Sequence, residues 1–204
     1  DHLVADLTPV RPLRPTHALM LPVGVAAFVA TAIVILLGPR ADLLVLDPHP
    51  MFLIRAGVLL LLGLATGLAA ARMASPAVSR AGSSWLWVLA VAALFPFGAL
   101  VALAGGNTPV AAVFIPPALE CLTLSIIGGA AVAVPMVLWL RRGAPTSPTR
   151  ASWLTGVAAG SLGAFAYGFH CPFNDIAYIG VWYTLSVAAV ALLARLIVPH
   201  LIRW

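Results

Sequence analysis

The chain has no lysine, only two cysteines and only six acidic residues among 204. Charged residues make up 8% of it and hydrophobic ones 62%, at a mean hydropathy of +1.07. So little polar surface cannot cover the core of an ordinary soluble domain, and that class is excluded. No Asp, Glu, Lys or His falls at the centre of a long apolar run, where proton-coupled carriers and ion pathways place ionisable groups. There is no CxxC to run a dithiol relay and no HExxH to hold a catalytic zinc. Gly160-Ser161-Leu162-Gly163 only imitates a serine-nucleophile turn, because Ala159 occupies the outer glycine position of G-x-S-x-G. Catalysis therefore finds no support, and the expectation is a protein that is not an enzyme.

What is present is apolar sequence in blocks of about twenty residues, the length a bilayer core requires. Six spans are expected, at residues 18–37, 51–71, 85–104, 118–140, 152–169 and 176–198. The fold class is thus an all-α, polytopic membrane helix bundle. The net charge of +5 comes entirely from arginine, and its placement reads as topology rather than nucleic-acid binding. Arg11, Arg14, Arg72, Arg80, Arg141, Arg142, Arg150, Arg195 and Arg203 fall on one side and only Arg40 and Arg55 on the other. That asymmetry puts both termini in the cytoplasm. The first span is too long for a cleavable signal and lacks an A-x-A site, so an uncleaved anchor is expected.

Residues 1–16 form a cytoplasmic arm ahead of a transmembrane domain at 17–204. Leu3, Val4 and Leu7 share one face of a short amphipathic turn, before Pro9, Pro12 and Pro15 interrupt any helix. Such an arm suits either the lipid surface or a partner's groove. Gly156, Gly160, Ala164 and Gly168 make a small-residue stripe on the fifth span, and Gly63, Gly67 and Ala71 another on the second. These stripes mark close helix contacts in lipid.

Cys121 and Cys171 are fifty residues apart, yet hydropathy puts both at the outer membrane face. A lone pair of thiols at an oxidising face points to a redox or metal sensor rather than a scaffold. Position at a helix start favours Cys121 as the nucleophile, with Cys171, at a helix end, as its resolving partner. His170 could act as base, cationic neighbour or ligand. Cys121, Cys171 and His170, with Glu120 beside them, form a chemically plausible soft-metal set, although the spacing matches no metal motif. Arg55 lies about one turn inside the second span, so either Glu120 or Asp175 pairs with it or it snorkels to the outer headgroups. Asp175 is expected to cap the last span.

The pattern Gly156-x3-Gly160, Tyr167-x2-His170-Cys171-Pro172 and Trp182-Tyr183-Thr184 resembles the NrsF-like membrane anti-sigma factors (negative regulators of sigma F). The likeness extends to Cys121-Leu122, to Arg141-Arg142-Gly143-Ala144-Pro145, and to Asp6-Leu7-x-Pro9-Val10-Arg11 in the arm. It covers most of the chain, and the HCP and WYT segments are its most specific parts. The resemblance implies a six-span bacterial inner-membrane protein that holds an extracytoplasmic-function sigma factor inactive and releases it under oxidative or heavy-metal stress. It implies that Cys121 and Cys171 respond to the signal and that the Asp6–Arg11 stretch, with Asp6, Leu7, Pro9, Val10 and Arg11, is the sigma-binding element. Leu3 and Val4, on the same apolar face as Leu7, are expected to join it, and no cofactor is expected. The arm is short for that family, so residues upstream of Asp1 are expected. The competing reading is a small transporter or channel with structural cysteines, which the apolar midplane opposes.

Overall fold

The computed structural model describes residues 17–74, 84–106, 108–143 and 145–202. The arm and its candidate sigma-binding residues lie outside them. Within the described residues there are seven α-helices, a 3-10 turn at Val110–Ala112 and no strand. The long helices are α1 (His17–Leu37), α3 (Pro50–Arg72), α4 (Ser84–Ala104), α5 (Pro117–Arg141), α6 (Pro148–Tyr167) and α7 (Ile176–Leu201), while α2 (Ala41–Leu44) is a single turn.

Local chemistry sets the ends of these helices. Proline opens α3, α5 and α6, where its missing N–H costs nothing. Gly38 and Gly106 follow α1 and α4 with φ of 90° and 66°, the left-handed conformation that closes a helix. The fifth expected span is displaced. Its helix starts at Pro148 rather than residue 152 and stops at Tyr167, because the polar first turn is helical although hydropathy does not favour it. The last helix runs on to Leu201 and takes Pro199 into its final turn.

The burial pattern is that of a protein surrounded by lipid. Large apolar side chains point outward from five helices, among them Phe28, Leu61, Phe97, Ile127 and Leu196. The interior holds small or hydroxylated residues instead, including Thr66, Ser125, Thr155, Ser161 and Ser186. Thr66 and Ser186 donate back to the carbonyls of Leu62 and Trp182 at 2.6 and 2.8 Å, as polar residues do where no water is available.

Five helices, α1, α3, α4, α5 and α7, are long and apolar enough to cross a membrane. The remaining long helix, α6, is the hub of the bundle and packs on α1, α3, α5 and α7. A helix sheathed by four others has little lipid to face, so hydropathy need not mark it. Its stripe of small residues makes this possible. A methyl group added at Gly156 would sit 2.5 Å from the Ala191 Cα atom, and one at Gly163 would run into the backbone of Gly129 and Ser125. The core stacks along α6 in three layers. Cys121, Cys171 and Tyr183 belong to the first, Val132 and Leu162 to the second, and Leu140 and Val198 to the third.

Gly163→Ala should force α5 and α6 apart and destabilise the bundle by on the order of 2 kcal/mol. Gly57→Ala has open space within 4 Å and should be neutral or slightly stabilising. Thermal unfolding in detergent distinguishes the two; equal melting temperatures would contradict the packing described.

Candidate functional site

The connection between α6 and α7 organises one end of the bundle. As α6 ends, its last carbonyls lose their helical partners and present a negative pole. Two arginines answer it from opposite sides. Arg55, on the second turn of α3, is fully buried. It donates from Nη1 to the Phe173 carbonyl at 3.0 Å and from Nη2 to those of Gly168 at 3.1 Å and Cys171 at 3.4 Å. Its guanidinium carbon lies 4.7 Å from the centre of the Tyr183 ring. Arg40, between α1 and α2, reaches the same turn. It donates from Nη1 to the Cys171 carbonyl and from Nη2 to Asn174 Oδ1 at 3.0 Å, and its backbone N–H bonds Phe169 O at 3.1 Å. Asp42 holds Arg40 with a two-pronged ion pair at 2.8 and 2.7 Å. Phe52 lies between the two cations, 4.8 Å from Arg40 and 5.8 Å from Arg55.

Neither expectation for Arg55 holds. It neither pairs with Glu120 or Asp175 nor reaches outward, because the helix-end carbonyls offer it acceptors inside the protein. Asp175 caps α7, accepting from the N–H groups of Ala177 and Tyr178 at 2.8 and 3.1 Å, and from Thr108 at 3.1 Å. Glu120 stands at the rim, 3.9 Å from His170 Nε2. His170 donates from Nδ1 to the Gly38 carbonyl at 2.8 Å, tying the turn to the end of α1.

Cys121 on α5 and Cys171 in the turn are brought together as free thiols, both fully enclosed in the same core layer. They face each other, with the Tyr178 hydroxyl near Cys121 and the Tyr183 hydroxyl near Cys171, though neither hydroxyl completes a hydrogen bond. The Trp182 indole donates to the Val113 carbonyl at 2.7 Å and draws the 3-10 turn across this end of α7. The enclosure arises because the connections fold back over the helix ends. The three-ligand metal set is also corrected. Among the described residues no group of three His, Cys, Asp or Glu is placed to hold a metal, because both ring nitrogens of His170 are turned to Gly38 and Glu120. The facing Cys121 thiol and the nearby Arg55 guanidinium hold the Cys171 thiol below its ordinary value, against the opposing effect of burial.

Sequence reasoning missed Arg40, Asp42, Phe52 and Tyr183 as parts of this site. Arg40-x-Asp42, an opposite-charge pair in the connection between α1 and α3, was the available signal for the first pair.

Comparison with known proteins bears on the whole chain. The family model described as "Negative regulator of sigma F" matches residues 3–204. The anti-sigma-F factor NrsF of Caulobacter vibrioides (strain NA1000 / CB15N) is 31% identical over 220 residues, covering 100% of this chain and 97% of that protein. A probable anti-sigma-F factor NrsF of Azospira oryzae (strain ATCC BAA-33 / DSM 13638 / PS) is 36% identical over 61 residues, 30% of this chain and 29% of the relative. No solved structure is significantly similar to the chain.

The ion pair with Arg40 holds the Asp42 carboxyl well below the usual carboxylate range. Its stabilising contribution is therefore complete above that range and lost as pH falls below it. Asp42→Asn removes it at every pH and leaves the Arg40 cation under-compensated, at a cost on the order of 2 kcal/mol. The variant should melt earlier than the parent at neutral pH, with the difference shrinking in acid. A constant difference down to low pH would show that Asp42 contributes shape rather than charge.

Proposed function

Since the chain belongs to the family of negative regulators of sigma F, we propose that it is a membrane-embedded, non-enzymatic anti-sigma factor of the bacterial inner membrane. It captures an extracytoplasmic-function sigma factor on the cytoplasmic side and releases it when Cys121 and Cys171 react outside. Five apolar helices and a sheathed sixth of similar length support a reading of six crossings, and the arginine asymmetry supports placing both termini inside. The family match takes precedence over the transporter reading.

The observation that carries the sensing half is the enclosed pair of free thiols joined to a clamped turn. An oxidant that links them changes the contact between α5 and the α6–α7 turn. Because α6 packs on four neighbours, a displacement at its outer end reaches the inner ends of α1, α3, α5 and α7. A disulfide supplies on the order of 2–4 kcal/mol, enough to change partner affinity by a hundredfold or so. The arm is the sigma-binding segment, with Leu3, Val4 and Leu7 as an apolar face, flanked by Asp6, Pro9, Val10 and Arg11.

Leu7→Asp should weaken sigma capture by about tenfold or more, corresponding to about 1.4 kcal/mol, and raise target-gene expression without stress. Membrane insertion should remain normal. Full repression after deletion of residues 1–11 would move the binding site to the loops carrying Arg72 or Arg142. Cys121→Ser should keep repression but lose induction by peroxide, and a normal response would remove the thiol pair from the mechanism.

A further inference from the structure

The charges around the α6–α7 turn do not balance. Arg40 is matched by Asp42, but Arg55 forms no ion pair with a carboxylate among the described residues, although it is fully buried. Its three acceptors are carbonyls, which together with the end of α6 offer roughly half a charge. Its Nε atom has no hydrogen-bond partner, and neither does the buried hydroxyl of Tyr183 over whose ring it lies. A buried, uncompensated guanidinium is costly, and a protein normally supplies an anion beside it. The titratable groups on the surrounding elements are Cys121 on α5, Tyr167 on α6, Cys171 in the turn, and Tyr178 and Tyr183 on α7. Glu120 and His170 face each other at the rim, Asp42 is engaged by Arg40, and Asp175 caps α7 and accepts from Thr108. Of the enclosed groups a cysteine ionises most readily, about 1.5 pH units below tyrosine in water. Cys171 is the cysteine whose own carbonyl Arg55 binds.

We propose that Cys171 rests as a thiolate, the missing counter-anion of Arg55, and that Arg55 is the positioning residue that makes this thiol the reactive member of the pair. The inference rests on the sensing role of the pair and assigns its chemistry. With a hydroperoxide as oxidant, Cys171 S⁻ attacks the distal oxygen, the O–O bond breaks, and Cys171 becomes a sulfenic acid. The departing alkoxide takes the proton of the Cys121 thiol and leaves as an alcohol. The Cys121 thiolate then attacks the sulfenic sulfur, forming the S–S bond and expelling hydroxide, so that the net products are the disulfide, the alcohol and one hydroxide ion, which the buffer neutralises. The peroxide is reduced by two electrons and the thiol pair oxidised by two. The pair also changes from one negative charge to none. Arg55 is then left without its anion, and the turn and α3 must adjust around it. Loss of a buried counter-charge is thus the event handed to the helices.

The test uses the full chain purified in detergent, with no sigma factor, so that failure of sigma capture elsewhere leaves its result unchanged. Thiolate ultraviolet absorbance is titrated in the native protein, in Cys171→Ser, in Arg55→Met and in Arg55→Lys. One thiolate is expected at about pH 7 in the native protein and absent from Cys171→Ser. Arg55→Met should raise the titration midpoint by about one pH unit or more and slow peroxide-driven disulfide formation about tenfold at neutral pH. Arg55→Lys, which keeps the charge, should restore most of both. A native signal that appears only above about pH 8.5, the range of a free cysteine, overturns the proposal. So does a midpoint unchanged in Arg55→Met. If Arg55→Met does not fold, the native and Arg55→Lys titrations decide alone.

Discussion

Two guanidinium groups closing on one helix end are the interaction on which the rest of this structure depends. A helix that stops inside a bundle leaves carbonyls without partners, and a lipid-sheathed protein has little water to give them. Arg40 and Arg55 supply the donors and between them engage residues 168, 169, 171, 173 and 174. Arg55 reaches from α3 and Arg40 from the connection after α1, so the turn that carries Cys171 is held to two other parts of the chain. Without that clamp neither the enclosure of the thiols nor their meeting across α5 would be enforced.

The remainder of the bundle ties that end of the molecule to the opposite one. Most of α6 is small enough for backbones to meet on several sides, so it has little room to shift without its neighbours. The stacked core layers run from the thiols to the opposite end, where Leu140 and Val198 pack beside Ala74. A central helix packed on four neighbours, with the thiols at one end and the Leu140–Val198 layer at the other, is a physically contiguous path between the two ends of the bundle. Family membership explains why such a route would be useful to a protein whose relatives are named for restraining a sigma factor.

The enclosed thiols carry a kinetic consequence. Neither sulfur is exposed, so reaction requires a small reagent or a momentary opening of the cap formed by the 3-10 turn and the Arg40–Asp42 pair. Enclosure therefore limits by size the reagents that can reach the sulfurs, while Arg55 and the tyrosines set the charge and polarity such a reagent would meet.

Sequence alone determined the helical membrane class, the positions of five spans to within a few residues, the two thiols and the cap at Asp175. These follow from local properties: apolar length, proline at helix starts, and a carboxylate just ahead of an apolar run. The central helix was found as a span yet misjudged at both ends, because packing rather than hydropathy fixes it. Glu120, Arg55 and His170 were rightly placed at one end of the bundle, but their partners were not. The acceptors Arg55 uses are backbone carbonyls 113 to 118 residues away, and no side-chain pattern encodes a carbonyl. The place of Tyr183 beside Arg55 is not legible in the sequence, since only the folded chain lays a cation on its ring. Which thiol feels that cation is likewise a tertiary decision, because a charge acts through space over a few ångströms and the sequence records only order along the chain.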